Sequence, residues 1–221
     1  MSGGESGDRT ERWRESYRQA RKDPLTSSAT TNRRRLSSVG ATGLGRGGRW
    51  LDVGSGDGNL APQLVEAGAG QVVSIDYQIE LIRDAPRDAS PVVGSAVELP
   101  LRSASIDVAV VMDVLHHLHR EQLRPTLDEV RRVLRPRGHL LVFEPVDTVV
   151  RRALGTALMS PLSSVTEFSR AKRRMVEHEA DTLLPWLHDE RRFAELLRSE
   201  GYVVERQRRG MLHGAYRCRP A

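Results

Sequence analysis

A chain of 221 residues, 38% hydrophobic and 29% charged, has the size and composition of one globular domain with its own core. Nothing in it approaches the ~20 consecutive apolar residues of a membrane span, its first residues lack the apolar stretch of a secretory leader, and a single cysteine, Cys218, excludes an intrachain disulfide framework and a multi-cysteine metal centre, so a reducing cytoplasm is the expected setting. The net charge of +5 is concentrated at the ends, with ten basic and five acidic residues in 1–48 and five arginines to one glutamate in 201–221; such an excess reads as a solvated arginine-rich surface before it reads as a phosphate-binding one.

Residues 1–48 are expected to form an N-terminal arm or cap: a Gly/Ser-rich start, a polar helix over 11–22 with Trp13 and Tyr17 on one face, and a loop or short lid segment over 23–48. A regular pattern begins at residue 49. Strands are predicted over 49–53, 71–76 and 91–93, with helices over 59–67 and 78–85 between them. The run 106–112 is almost continuously apolar, as a strand buried on both faces should be. A helix over 121–134 carries Leu123, Leu127, Val130, Val133 and Leu134 on one side, and a fifth strand covers 139–143. Residues 147–187 interrupt the rhythm. They are too long for a plain connection of about 2–6 residues and carry helical patterns of their own, so they are expected to form an inserted helical lid. A helix over 189–199 and two strands, 202–207 and 212–218, complete the chain. Alternating strands and helices require a parallel sheet with right-handed crossovers.

The chemistry-bearing segment is Asp52-Val53-Gly54-Ser55-Gly56-Asp57-Gly58. A glycine-rich turn at the carboxyl end of the first strand is where a doubly wound sheet places its ligand, because the backbone must turn sharply and approach closely and the next helix presents its N–H groups there. The spacing is G-x-G-x-G, not the G-x-G-x-x-G of a dinucleotide site. Some twenty residues later the second strand ends in Asp76, which could bind a ligand or cap the following helix.

The run from Asp52 to Gly58 resembles the first motif of the class I S-adenosylmethionine-dependent methyltransferases. Four further segments resemble the same family: Val73-Ser74-Ile75-Asp76; Gly94-Ser95-Ala96-Val97-Glu98-Leu99-Pro100-Leu101; Asp113-Val114-Leu115-His116-His117-Leu118; and the segment 129–143 with its Arg-Pro-Arg-Gly turn. Together they cover 49–145 and are most similar to the small-molecule type that acts in ubiquinone and menaquinone biosynthesis. Two positions depart from the pattern: Ser95 stands where the family has Asp, and Arg137 where it has a second glycine. The resemblance implies a Rossmann-like α/β fold. Its seven-stranded sheet would be mostly parallel with an antiparallel last strand, helices on both faces and the inserted lid, all within a methyltransferase domain over 49–221.

The resemblance also implies the cofactor S-adenosylmethionine. Asp52, Gly54, Ser55, Gly56 and Gly58 would form its first wall, Asp76 and Tyr77 would meet the ribose, and Ser95 and Ala96 the adenine. Asp113 would contact the cofactor or cap its turn. Tyr17 would close over the cofactor or only dock its helix. His117, then His116, are the candidate bases or acceptor-orienting groups, with packing against the sheet as the alternative. Glu144, at the end of strand five, is expected to face the same cleft. No histidine spacing suggests a metal. The expected acceptor is a small molecule, hydrophobic or anionic in view of the mixed lid (Leu154 beside Arg170 and Arg173), and the protein a monomer or homodimer. Three rivals stay open. The basic ends fit an RNA or other nucleic-acid methyltransferase, although no base-amine motif follows strand four and no RNA-binding module is evident. Ser95 and Arg137 fit a non-catalytic cofactor-binding interaction protein. A nicotinamide oxidoreductase conflicts with the glycine spacing.

Overall fold

A computed structural model describes residues 28–83, 85–159 and 167–221. The expected helix over 11–22, with Trp13 and Tyr17, lies outside them. Seven strands form one sheet in the order β3-β2-β1-β4-β5-β7-β6: β1 (Arg49–Val53), β2 (Gln71–Asp76), β3 (Ala89–Val93), β4 (Ile106–Met112), β5 (Leu134–Pro145), β6 (Tyr202–Arg209) and β7 (His213–Pro220). The first five pair in parallel. β7 runs antiparallel to both of its neighbours, so it alone reverses direction. The order turns back between β1 and β4, the switch point at which open α/β sheets bind ligands beyond the strand ends.

The period-two alternation of the strands divides the core into two layers. Leu51, Val53, Val73, Ile75, Ala109, Val111, Leu140 and Val142 face one way. They pack against Leu127, Val130 and Val133 of α4 (Arg120–Val133), Trp186 of α6 (Glu167–Asp189) and Leu197 of α7 (Phe193–Ser199). Trp50, Val72, Val108, Val110, Leu141 and Phe143 face the other way, onto Leu36 of α1 (Ala29–Ser38) and Leu64 of α2 (Ala61–Ala67). Burying each Val, Leu or Phe contributes about 1.5–3 kcal/mol relative to exposure, so both layers hold the central strands rigidly under the site. Between β2 and β3 lies the single-turn α3 (Ile79–Ile82), and after β5 comes α5 (Val149–Met159). No helix among the described residues is long and apolar enough to cross a membrane.

Three expectations need correcting. The stretch 23–48 contains a helix, α1, where a loop or lid segment was expected. Ser28 Oγ caps it by accepting from Thr31 N–H at 3.2 Å. Asn32, Arg35 and Leu36 form its buried stripe; with one large apolar residue in that stripe, its docking is mostly polar. The helix expected over 78–85 is reduced to Ile79–Ile82. The Arg135–Gly138 turn instead continues β5, which pairs Leu134 with Ile106 and then shifts register before His139 meets Val108. The inserted stretch is helical as expected, with α5 and α6 in the described part of it.

Candidate active site

The glycine turn follows β1 directly. Gly54, Gly56 and Gly58 all have positive φ, at 65°, 57° and 71°, a region that costs an L side chain roughly 1–2 kcal/mol. Gly54 has a second constraint: a Cβ there would lie 2.6 Å from Val114 Cγ2. The turn is tied to β2 by Ser55 N–H, which donates to Ile75 O at 2.9 Å. Gly56 N–H donates to Asp76 Oδ2 at 2.8 Å, and the other carboxylate oxygen accepts from Gln78 N–H at 2.8 Å. Asp76 thus pins the glycine turn and, by accepting from Gln78 N–H, closes a turn that leads into α3 without capping it. A carboxylate has about four acceptor positions, so these two bonds are compatible with a ligand diol on the same group.

A cavity of about 730 Å³ opens beside this turn. Of the residues singled out from sequence, Gly54, Asp76, Tyr77, Ser95, Ala96, Asp113 and His117 line it. Asp52 and Ser55 are buried, 2% and 4% exposed; Asp52 stands in β1 between Ser74 and Val110. These two, with Gly56, Gly58, His116 and Glu144, do not line the cavity. Ser95 Oγ accepts from Val97 N–H at 3.3 Å and so shapes its own turn. On the far side Asp181 and Thr182 of α6 complete the wall, which makes the inserted helix part of the enclosure. A smaller cavity of about 420 Å³ adjoins, sharing Leu118, His119, Asp181 and Thr182 and continuing over Trp186, Phe193 and Leu196.

Glu144 departs from the expectation that it faces the cleft. It is 1% exposed and turned into the segment after β4. Its Oε1 accepts from Val114 N–H at 2.8 Å and Leu115 N–H at 2.7 Å, and its Oε2 lies 2.7 Å from His116 Nδ1. It therefore fixes the short 3₁₀ turn Leu115–His117. His116 is 6% exposed, and its ring centroid lies 4.0 Å from that of His117. A buried carboxylate thus orients one imidazole, and that imidazole packs on the one that reaches the cavity.

Asp113, at φ 57°, sits at the centre of a charged cluster with little local trace in the sequence. Arg35 Nη1 from α1 lies 2.7 Å from Asp113 Oδ2, and His213 Nε2 from the start of β7 lies 3.0 Å from Oδ1. Burial raises the Asp113 pKa, but the Arg35 guanidinium and then His213 outweigh it and hold the carboxyl well below its usual range. His213 itself is pushed down, by burial first and by Arg35 and Arg151 in addition, against the pull of Asp113. The imidazole is therefore neutral at pH 7 and the aspartate charged. Among the described residues no group of three His, Cys, Asp or Glu is placed to hold a metal.

The donor and acceptor set fits S-adenosylmethionine: a carboxylate at the end of β2 for a diol, a backbone turn that lets the ligand approach, and Ser95 and Ala96 on the wall beyond. Residues 51–142 match the family model described as a methyltransferase domain. Over 128 residues the chain is 31% identical to the ubiquinone/menaquinone biosynthesis C-methyltransferase UbiE of Syntrophotalea carbinolica, a match that covers 54% of this chain and 53% of that protein. The chain thus spans about half the length of that relative. Among solved structures, 1,6-didemethyltoxoflavin-N1-methyltransferase of Burkholderia thailandensis, with bound 1,6-didemethyltoxoflavin and S-adenosylhomocysteine, aligns with a TM-score of 0.62 at 19% identity, over 100% of this chain and 92% of that one. A putative methyltransferase from Haloferax volcanii, in complex with the Trm112 methyltransferase activator, aligns with a TM-score of 0.65 at 17% identity over 93% of each chain. At these identities the structural likeness is one of fold.

Proposed function

We propose that the protein is a class I S-adenosylmethionine-dependent methyltransferase that transfers the methyl group of S-adenosylmethionine to a small-molecule acceptor, a reading supported by the match of residues 51–142 to the methyltransferase-domain model and by the order of the sheet. The observation that carries this reading is Asp76: its carboxylate closes the glycine turn through Gly56 and lines the 730 Å³ cavity. In this reading Asp76 takes the ribose hydroxyls, with Tyr77 beside it. Gly54 supplies the close backbone wall, and Ser55, Gly56 and Gly58 hold the turn behind it, with Asp52 buried in β1 beneath. Ser95 and Ala96 flank the adenine, and Asp113 closes the cavity on the β4 side.

When bound, the cofactor supplies an electrophilic methyl group on a sulfonium. The chain must hold the acceptor in line and keep water out, and placement of this kind is worth roughly 7–11 kcal/mol in well-oriented systems. Of His116 and His117 it is His117 that lines the cavity, and it orients the acceptor or takes its proton. His116 and Glu144 act through it as positioning residues, fixing the turn that carries it. The helical insertion supports a small acceptor, because α6 walls the cavity through Asp181 and Thr182. The adjoining cavity, where Leu118, Trp186, Phe193 and Leu196 stand beside charged residues, offers space for a hydrophobic portion. The relatives named for quinone and toxoflavin methylation are consistent with that class. A cytoplasmic setting fits the lone, buried Cys218.

The test is methyl transfer from tritiated S-adenosylmethionine offered together with a low-mass metabolite extract and total RNA. Label is expected in the low-mass fraction and absent with the Asp76→Ala variant. Label in RNA would overturn the acceptor class.

A further inference from the structure

Three carboxylates stand on the wall of the 730 Å³ cavity: Asp76, Asp113 and Asp181. Two of them are committed within the protein. Asp76 accepts from the N–H groups of Gly56 and Gln78, and Asp113 is paired with Arg35 and His213. Asp181, in α6, makes no side-chain hydrogen bond or ion pair among the described residues. Arg120 and Arg124, which share the adjoining cavity with it, pair instead with Asp189 and Glu200. Asp181 therefore keeps all its acceptor positions for a donor that enters the cavity.

The neighbours of this carboxylate indicate which donor it serves. In the reading above the ribose lies on Asp76 at the end of β2, with Gly54 and Asp113 toward the sulfonium. The base then falls to the remaining wall: Ser95 and Ala96 after β3, Leu118 and His119 after β4, and Asp181 on α6, the helix that packs on the Leu115–His117 turn. The 6-amino group of adenine carries two N–H donors and has to find an acceptor once the base leaves water. Two neutral acceptors on this wall already serve their own turns: Ser95 Oγ accepts from Val97 N–H at 3.3 Å, and Gln122 Oε1 from His119 N–H at 3.0 Å. A charged acceptor makes the stronger bond. Resting on the methyltransferase reading above, we propose that Asp181 is the residue that recognises the adenine amino group. The inserted helix, and not the loop after β3, then selects the base of the cofactor.

The probes are S-adenosylhomocysteine and its 6-deamino analogue, with purine in place of adenine, titrated by calorimetry into the full-length protein and its variants. The two ligands differ only in the amino group, and a site built to pair that group is expected to prefer S-adenosylhomocysteine at least about tenfold. In Asp181→Ala the preference is expected to fall to within about twofold, by loss of S-adenosylhomocysteine affinity, while the analogue stays within about threefold and the thermal midpoint confirms folding. Asp181→Asn keeps a side-chain carbonyl and is expected to retain part of the preference. Ser95→Ala is expected to weaken both ligands alike, through its turn. No preference in the unaltered protein, a preference that survives in Asp181→Ala, or one that vanishes in Ser95→Ala overturns the proposal. So does an equal loss for both ligands in Asp181→Ala, which would leave Asp181 a wall residue only. Failure of the unaltered protein to bind S-adenosylhomocysteine is a different result, and it overturns the methyltransferase reading beneath the proposal.

Discussion

Two residues, Gly54 and Glu144, show how tightly single positions bind the site to the fold. Gly54 has no room for a methyl group, since its Cβ would meet Val114 at 2.6 Å with φ at 65°. Gly54→Ala is predicted to cost about 2 kcal/mol or more and to weaken the cofactor by displacing Val114 from the cavity wall. The conflict is with a side chain, so Val114→Ala should recover part of the loss in a double-mutant cycle followed by urea unfolding. Purely additive effects would show that the clash is relieved some other way. Glu144 holds three backbone N–H groups, those of Val114, Leu115 and His116, and the His116 ring. Glu144→Ala leaves those N–H groups buried without an acceptor and is predicted to cost roughly 3–5 kcal/mol. Glu144→Gln keeps an acceptor for the backbone but presents an amide to His116. It should therefore retain most of the stability and shift the pH profile of transfer, a response that structural support alone would not produce. An unchanged profile in a folded Glu144→Gln would separate Glu144 from the histidine pair.

At the scale of elements, the parts that a sequence can disclose are those with local causes. β1, β2 and β4 were legible to the residue, because apolar runs bounded by Gly or Asp announce strands buried on both faces. The glycine turn and Asp76 were legible because both the spacing and the strand end are local. α1 was not: Thr30, Thr31, Asn32, Ser37 and Ser38 are poor helix formers, and its docking depends on partners far along the chain. Arg35 meets Asp113 across 78 positions and His213 across 178, so neither contact leaves a pattern to read. The same holds for Arg151, whose exposed-looking setting in a lid sequence hides a buried Nε. Glu144 was legible as a strand-end acid but not in its direction, which the Leu115–His117 turn decides. The polar docking of α1 gives a prediction at this scale. Arg33 pairs with Glu66 in an exposed position, whereas Arg35 is 9% exposed. Arg35→Met is expected to speed amide hydrogen exchange in 29–38 at least tenfold, and Arg33→Met to leave it nearly unchanged. Equal effects would place the anchor of α1 elsewhere.

For the molecule as a whole, two pH windows follow from its buried titrating groups. His213 and His139 both have pKa values below the usual 6.5, each through burial first. The folded chain thus holds these protons less tightly than the unfolded chain, which takes them up first as pH falls. Stability is then full above about 6.5 and declines as pH drops through that value toward the lower folded ones. Asp113, with its pKa held well below 3.8, adds a second loss that begins only when pH falls below that carboxylate range. Urea midpoints between pH 7 and pH 5 should therefore fall, and His213→Gln should flatten part of the fall; a midpoint independent of pH would contradict the neutral assignment. The seven-stranded order with its reversal between β1 and β4 brings Asp76, Asp113 and His213 to the same end of the strands, and whether that end holds the cofactor is the central claim. Calorimetric titration of S-adenosylhomocysteine into the protein and its Asp76→Ala variant, with thermal unfolding as the control for folding, tests it most directly. Saturable binding that the variant weakens about a hundredfold, roughly 3 kcal/mol for charged hydrogen bonds to a diol, is the predicted result. No binding to the unaltered protein, or equal binding by a folded Asp76→Ala, would contradict it.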